Sequence, residues 1–99
     1  MEINEIKKIL LELQFNVNSK GFEYWLHAIH LYTTFNEKIT MTEMYNELAF
    51  EFTTTSSVIE RNMRTASNSA IPNIRKYFNY NTKISNKTIL NLFRKNMEE

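Results

Sequence analysis

Apolar residues recur at intervals of three and four along successive segments of this 99-residue chain, and polar breaks separate the segments. Such intervals place side chains on one face of an α-helix, whereas a half-buried strand needs strict alternation. The chain contains only one glycine and one proline, so it is poor in the turn pairs that connect the strands of a sheet. We therefore expect an all-α fold of about six helices, forming a single domain over residues 1–99.

Two amphipathic helices are predicted in the first third of the chain. Residues 2–14 carry an apolar stripe that suits packing on the same domain, and residues 22–35 carry an aromatic-rich face expected at the centre of the core. A polar break over 16–21, ending in Gly21, separates the two helices. Their apolar positions are Ile3, Ile6, Ile9, Leu10 and Leu13 in the first helix and Phe22, Trp25, Leu26, Ile29, Tyr32 and Phe35 in the second.

The only residues with a metal-like spacing are Glu23, His27 and His30, which fall within two turns of the second predicted helix. A zinc site needs three or four ligands, and second-shell partners must orient them. No further ligand is apparent near this group. The chain has no cysteine, which excludes zinc fingers, thiol nucleophiles and disulfide scaffolds. We predict no metal, no cofactor and no catalytic residue.

The stretch from Ile39 to Ala70 predicts two helices joined by a short turn. Thr40 and Glu43 form a capping box that begins the first of these helices, which is expected to end near Phe52. The turn follows at Thr53-Thr54, and Thr55 or Ser56 caps a second helix over residues 56–69. A short helix, a tight turn and a longer helix form the layout of a helix-turn-helix, whose second helix enters the DNA major groove.

The outer face of this second helix suits contacts with base edges. An arginine can form a bidentate bond to guanine, and a glutamate can accept a bond from the cytosine amino group. A charged outer face is more often simply solvated, but the capped helix and the turn before it favour the DNA interpretation. The predicted base-contacting residues are Ser57, Glu60, Arg61 and Arg64.

Charge is divided unevenly between the halves of the chain. Residues 1–52 hold four lysines and eight glutamates, a net charge of −4, whereas residues 53–99 hold eight basic residues and three glutamates, a net charge of +5. The second half is therefore expected to bind the phosphates of a polyanion. The predicted phosphate-contacting residues are Thr54, Thr55, Thr65, Asn68, Arg75, Lys76, Lys83 and Lys87.

Two more helices are predicted after residue 70. Pro72 suits the first turn of a short helix, in which Ile74, Tyr77 and Phe78 are expected to face inward. Ser85 is the expected N-cap of the last helix, whose apolar face is wider than core packing requires. We therefore predict that part of this face forms a homodimer or tandem contact. The residues predicted for that contact are Ile89, Leu92, Phe93 and Met97.

The segments 21–29, 39–64 and, more loosely, 73–81 together with the last helix resemble the DNA-binding effector domain of the stage-zero sporulation response regulator, the master transcription factor of endospore formers. The most specific part is the Thr-Thr turn followed by Ser57, Glu60-Arg61 and Arg64. The resemblance implies six helices, of which the fourth is the recognition helix. It also implies that Glu60 and Arg61 occupy base-contacting positions and that the last helix takes part in contacts between subunits.

Two positions depart from the pattern of that family. Val58 stands where the family has an arginine used at the DNA, and Thr65 stands where it has a histidine. The recognition surface is therefore expected to be less basic and to select a different sequence. We expect no receiver domain with its phosphoacceptor aspartate, so we do not carry over phosphorylation-driven dimerisation from the resemblance. We expect a stand-alone regulator or accessory protein, of the kind that mobile elements encode.

The leading hypothesis is a sequence-specific double-stranded DNA-binding protein that regulates transcription in bacteria. The alternatives are an accessory protein of plasmid transfer or partition, and a protein-interaction module that inhibits a related regulator. An enzyme is not expected, because the chain has no glycine-rich phosphate loop and no nucleophile with a base at motif spacing. Aromatic residues fall at core spacing, which argues against stacking on single strands. With no membrane-spanning run and no signal peptide, the expected location is the cytoplasm.

Overall fold

A computed structural model describes residues 1–35 and 39–98. Over these residues the chain forms six helices and no strand, so the predicted all-α fold is confirmed. The helices are α1 (Ile3–Glu12), α2 (Lys20–Thr34), α3 (Met41–Glu51), α4 (Ser56–Asn68), α5 (Ile71–Phe78) and α6 (Asn86–Glu98). The order of α3, a four-residue connection and α4 is the order that a helix-turn-helix requires.

Side-chain caps begin the helices where the sequence predicts them. Thr40 Oγ1 accepts the Glu43 N–H at 3.1 Å, and Glu43 Oε1 accepts the Thr40 N–H at 2.9 Å, which completes the capping box of α3. The bond from the Thr40 N–H lowers the pKa of Glu43, because it stabilises the charged carboxylate. Thr55 and Ser85 each accept, at 3.2 Å, the N–H of the residue three positions on. All three predicted caps are confirmed.

Three helix ends adopt the left-handed conformation without glycine. Gln14, Thr53 and Asn79 have φ values of 65°, 53° and 53°. After each of them the next N–H bonds to the carbonyl five residues earlier, as in Thr54 to Ala49 at 2.9 Å. This 6→1 bond is the mark of a Schellman end, for which glycine is the usual residue. The predicted turn at Thr53-Thr54 is therefore a helix end with threonine in the strained position.

Helix α2 lies at the centre of the core, as predicted. Trp25 is fully buried, and its indole Nε1–H donates to the Met63 carbonyl oxygen of α4 at 2.8 Å. The edge of Phe15 packs against the Trp25 ring with 6.0 Å between ring centroids. The Tyr32 carbonyl near the end of α2 accepts a 2.6 Å bond from Arg94 of α6. Contacts therefore join α2 to both α4 and α6.

Gly21 lies in the first turn of α2 and faces α4, although the sequence placed it in the break before that helix. A Cβ atom at this position would lie 2.6 Å from the Cβ of Ala66 and would overlap the Asn62 carbonyl oxygen. Real Cβ atoms do not approach other atoms so closely, and a backbone carbonyl cannot rotate away. The missing side chain therefore allows α2 and α4 to cross in contact.

Gly21→Ala is expected to lower the free energy of unfolding by about 2 kcal/mol, because the added methyl group pushes α2 and α4 apart. Urea unfolding followed by circular dichroism measures the loss. The control is Lys20→Ala, since Lys20 precedes Gly21 and is exposed. Equal stability of the two variants would contradict the close crossing.

Four predicted side-chain positions need correction. Phe35, expected on the core face of the second helix, is 56% exposed just after the end of α2. Tyr77 is not inward, since 41% of it is exposed. Ile89 and Phe93 are fully buried in their own domain, where the Phe93 ring packs against Phe78 at 5.4 Å between centroids. They are therefore unavailable as the predicted partner surface. Helix α6 needs a wide apolar face because it packs on α2 and α4 and reaches α5 through Phe78.

Candidate nucleic-acid interface

The outer face of α4 is a continuous polar stripe. Ser57, Arg61, Arg64 and Asn68 recur at intervals of four, three and four residues and are all exposed. Glu60 and Thr65 lie on either side of this stripe; Glu60 is half-buried and Thr65 is exposed. The opposite face consists of the buried residues Ile59, Met63, Ala66 and Ser67. The helix therefore presents the four predicted base-contacting residues on one side and packs on the core with the other.

Two of the predicted base-contacting residues bind each other. Arg64 Nη1 donates to Glu60 Oε2 at 2.9 Å, one helical turn away, and both side chains are about half exposed. An exposed pair at this spacing stabilises a helix by only ~0.3–0.5 kcal/mol. The spacing of the two residues in the sequence could have indicated this pair. This bond uses one oxygen of Glu60 and one nitrogen of Arg64, so the other carboxylate oxygen and the other N–H groups can still face bases.

Two grooves run alongside α4 and share Tyr45 and Glu60. The groove between α3 and the start of α4 has a volume of about 240 Å³, and the groove between α4 and the start of α6 has a volume of about 340 Å³. The first is lined by Thr42, Tyr45, Asn46, Ser56, Ser57 and Glu60. The second includes Tyr45, Glu60, Arg64, Asn68, Asn86 and Lys87. The start of α6 is thus part of the same surface as α4.

A buried asparagine connects these three helices. Asn86, the first residue of α6, is 8% exposed and donates from Nδ2 to the Tyr45 hydroxyl at 3.1 Å and to the Glu60 carbonyl oxygen at 3.4 Å. Burial of the phenol raises the pKa of Tyr45, which keeps it neutral as a hydroxyl. Sequence reasoning did not find Asn86, because its partners lie far away in the chain. Its only local signal is its position directly after the N-cap Ser85.

The structure separates the predicted phosphate-contacting cations into two kinds. Lys76, Lys83 and Lys87 are exposed, and Lys87 lines the groove beside α4. Arg75 instead donates to the Thr82 carbonyl oxygen at 2.8 Å and to the Tyr80 carbonyl oxygen at 3.4 Å. Both bonds use Nη1, so a phosphate contact by Arg75 would use its Nη2 or Nε groups.

The predicted uncharged phosphate contacts lie at the two ends of α4. Thr54 is half-buried and Thr55 is exposed at the start, where the Thr55 Oγ1 already accepts the cap bond. Thr65 and Asn68 are exposed near the end of the helix. All four therefore flank the stripe of predicted base contacts.

The histidines of α2 have partners within the protein. His27 lies between two carboxylates, with Glu51 Oε1 3.6 Å from Nδ1 and Glu23 Oε2 3.9 Å from Nε2. His30 Nδ1 is 2.8 Å from the Met1 carbonyl oxygen. Over residues 1–35 and 39–98 no three His, Asp or Glu side chains are placed to hold a metal ion. Within the same ranges no helix has the length and hydropathy needed to cross a membrane.

Comparison with known proteins gave one match. Residues 6–97 match the family described as sporulation initiation factor Spo0A C terminal. No curated protein and no solved structure matched the chain. The family match covers all six helices almost entirely, including α4 with its polar stripe, and it confirms the resemblance inferred from the turn and the residues after it. The chain belongs to the Spo0A C-terminal family.

Proposed function

We propose that this protein binds double-stranded DNA sequence-specifically through a helix-turn-helix formed by α3 and α4, with α4 in the major groove. One observation carries the proposal: the polar stripe of α4 is exposed over its whole length while the opposite face is core. A helix held in this way can present side chains to base edges without changing its own packing. The family is one of DNA-binding domains and not of enzymes, which supports the same conclusion.

The charges around α4 support this orientation. Arg61 lies in the first half of α4, the part of a recognition helix that reaches bases, and Lys87 of α6 lines a groove beside α4 together with Glu60 and Arg64. The lysines at positions 76 and 83, on α5 and in the connection before α6, are also exposed. In this proposal Arg61 and its neighbours select the sequence and the lysines bind phosphates. The protein would act as a transcription regulator in the bacterial cytoplasm.

The proposal includes binding as a dimer or tandem pair, through a smaller surface than the sequence predicted. Leu92 is half-buried and Met97 is 41% exposed, so these two residues of α6 can meet a second copy. Ile89 and Phe93 contribute only by supporting α6 from within the core.

A second candidate function is a protein-interaction module that retains the fold without a DNA target. One observation favours it: Val58, which replaces an arginine of the family pattern, is a half-buried apolar residue at the start of α4. Selection of bound duplexes from a random library separates the two functions, because a DNA-binding protein enriches one sequence and an interaction module enriches none.

Arg61→Ala is expected to weaken binding to the selected duplex by about 10-fold, which corresponds to ~1.4 kcal/mol, and to leave binding to a scrambled duplex nearly unchanged. The physical reason is that a bidentate arginine contact discriminates among bases. Fluorescence anisotropy at one salt concentration measures both affinities.

Lys76→Ala is the matched control, since Lys76 is an exposed cation on α5. It should weaken binding to the two duplexes by the same factor, because a phosphate contact carries no sequence information. If Arg61→Ala also weakened both equally, Arg61 would be a phosphate contact and base selection would lie elsewhere.

A further inference from the structure

We infer that the hydrogen bond between Tyr45 and Asn86 positions the recognition helix and thereby sets how well it discriminates among sequences. This inference rests on the proposed function and adds two residues to it that need not touch DNA. The contact joins three elements: Tyr45 belongs to α3, Asn86 begins α6, and the Glu60 carbonyl oxygen that Asn86 also reaches belongs to α4.

The Asn86 amide has a fixed place. The cap bond of Ser85 to the Thr88 N–H sets the backbone at the start of α6, and burial leaves Asn86 only 8% exposed. Buried amides in proteins are almost always hydrogen-bonded, since water cannot replace the missing partner. The bond to the Tyr45 hydroxyl, at 3.1 Å, is the shorter of its two, and the bond to the Glu60 carbonyl, at 3.4 Å, is long. Tyr45 is therefore the partner that holds the amide in place.

The place where Asn86 contacts α4 explains why this contact should affect discrimination among DNA sequences. Trp25 holds the middle of α4 through the Met63 carbonyl oxygen, on the core side. Asn86 contacts α4 one turn earlier, at Glu60, directly before Arg61. Buried Ile59 also packs the first half of α4 on the core, but the Asn86 bond is what fixes this half to α6, so its loss would allow a small shift there. Base contacts require placement to within about half an ångström, so a small shift would weaken selective contacts more than contacts to phosphates.

The two grooves beside the Tyr45–Asn86 contact also suggest that this contact positions α4. Tyr45 and Glu60 line both grooves beside α4, so the contact stands between the α3 side and the α6 side of the surface. Its two side chains lie where α3, α4 and α6 meet. Any change in their bond therefore alters the relative placement of the recognition helix and of Lys87, which lines the second groove.

Tyr45→Phe tests the inference because it removes the hydroxyl and leaves the ring. We expect affinity for the selected duplex to fall by about 5-fold and affinity for a scrambled duplex to stay the same, so that the selectivity ratio falls by the same factor. Tyr77→Phe is the matched control, since it removes a hydroxyl from an exposed tyrosine on α5. It should leave the ratio unchanged.

A double-mutant cycle with Asn86→Ala shows whether the two residues act together. If they do, Tyr45→Phe should have little further effect on selectivity once Asn86 is replaced, whereas independent residues would give additive losses. Amide chemical shifts of α4 provide a second measurement that needs no DNA. The shifts of Glu60 to Arg64 should move in Tyr45→Phe and stay fixed in Tyr77→Phe.

The outcomes separate this inference from the function on which it rests. A wild-type protein that enriches no sequence would overturn the proposed function and the inference together. Two results would overturn the inference alone, given a wild-type protein that is selective. One is a selectivity ratio that Tyr45→Phe leaves unchanged. The other is additive losses of selectivity in the double-mutant cycle. The inference would be supported if Tyr45→Phe lowered the selectivity ratio, the losses in the cycle were non-additive, and the amide chemical shifts of α4 moved.

Discussion

Trp25→Ala is expected to lower the free energy of unfolding by about 4 kcal/mol, a large part of the 5–15 kcal/mol that typically stabilises a domain. Trp25 has the largest fully buried side chain of the domain, and truncation would leave a cavity between α2 and α4. It would also remove the 2.8 Å bond to Met63 and the edge contact with Phe15. Urea unfolding followed by far-ultraviolet circular dichroism measures the loss without relying on the fluorescence of the single tryptophan.

The matched control is Phe50→Ala. Phe50 is also a large aromatic residue, but it is 86% exposed on α3, so its removal should change stability by no more than about 0.5 kcal/mol. The loss in the free energy of unfolding for Trp25→Phe should lie between the losses for Trp25→Ala and Phe50→Ala, because phenylalanine keeps a buried ring and lacks the indole N–H. Similar losses for Trp25→Ala and Phe50→Ala would show that α2 is not the centre of the core.

Raising the salt concentration from 50 to 200 mM is expected to weaken DNA binding by about 40-fold. About three phosphate contacts would give a slope near −2.7 in the logarithmic plot, since each contact releases about 0.9 counterions. The exposed lysines Lys76, Lys83 and Lys87 can supply them. Arg94 is not among them, because it donates to the Tyr32 carbonyl oxygen and stacks over the Tyr32 ring at 3.8 Å.

Single lysine variants identify which cations contribute. Lys87→Ala should reduce the magnitude of the slope by about one, whereas Lys8→Ala, in the acidic half of the chain, should leave it unchanged. A nearly flat dependence of wild-type affinity on salt would exclude phosphate contacts as the main source of binding and would favour the interaction module.

Sequence reasoning succeeded where the controlling interactions are local. The caps at Thr40, Thr55 and Ser85 each act on the N–H three residues on, so the positions of α3, α4 and α6 could be predicted from short stretches. The exposed stripe of α4 followed from helical spacing alone, because one turn of helix fixes which side chains share a face. Its DNA contacts stay predictions.

Sequence reasoning failed where the deciding partner is distant in the chain. The local sequence indicates a break at Gly21, because the residues beside it in the chain do not reveal that Asn62 and Ala66 pack against it. Ile89 and Phe93 were assigned to a partner subunit because an apolar face does not indicate how many of its own helices will cover it. Asn86 was missed for the same reason, since its bond spans 41 residues to Tyr45.

The division of α4 into two faces has a consequence for how such proteins diverge. Ile59, Met63 and Ala66 hold the helix against α2, so changes there alter the fold. The exposed side chains, in contrast, can be exchanged at little cost in stability, because they contact little of the protein. Under the proposed function, new operator preferences can therefore arise by substitution at a few outer positions such as Thr65, while the core face of α4 keeps the fold unchanged.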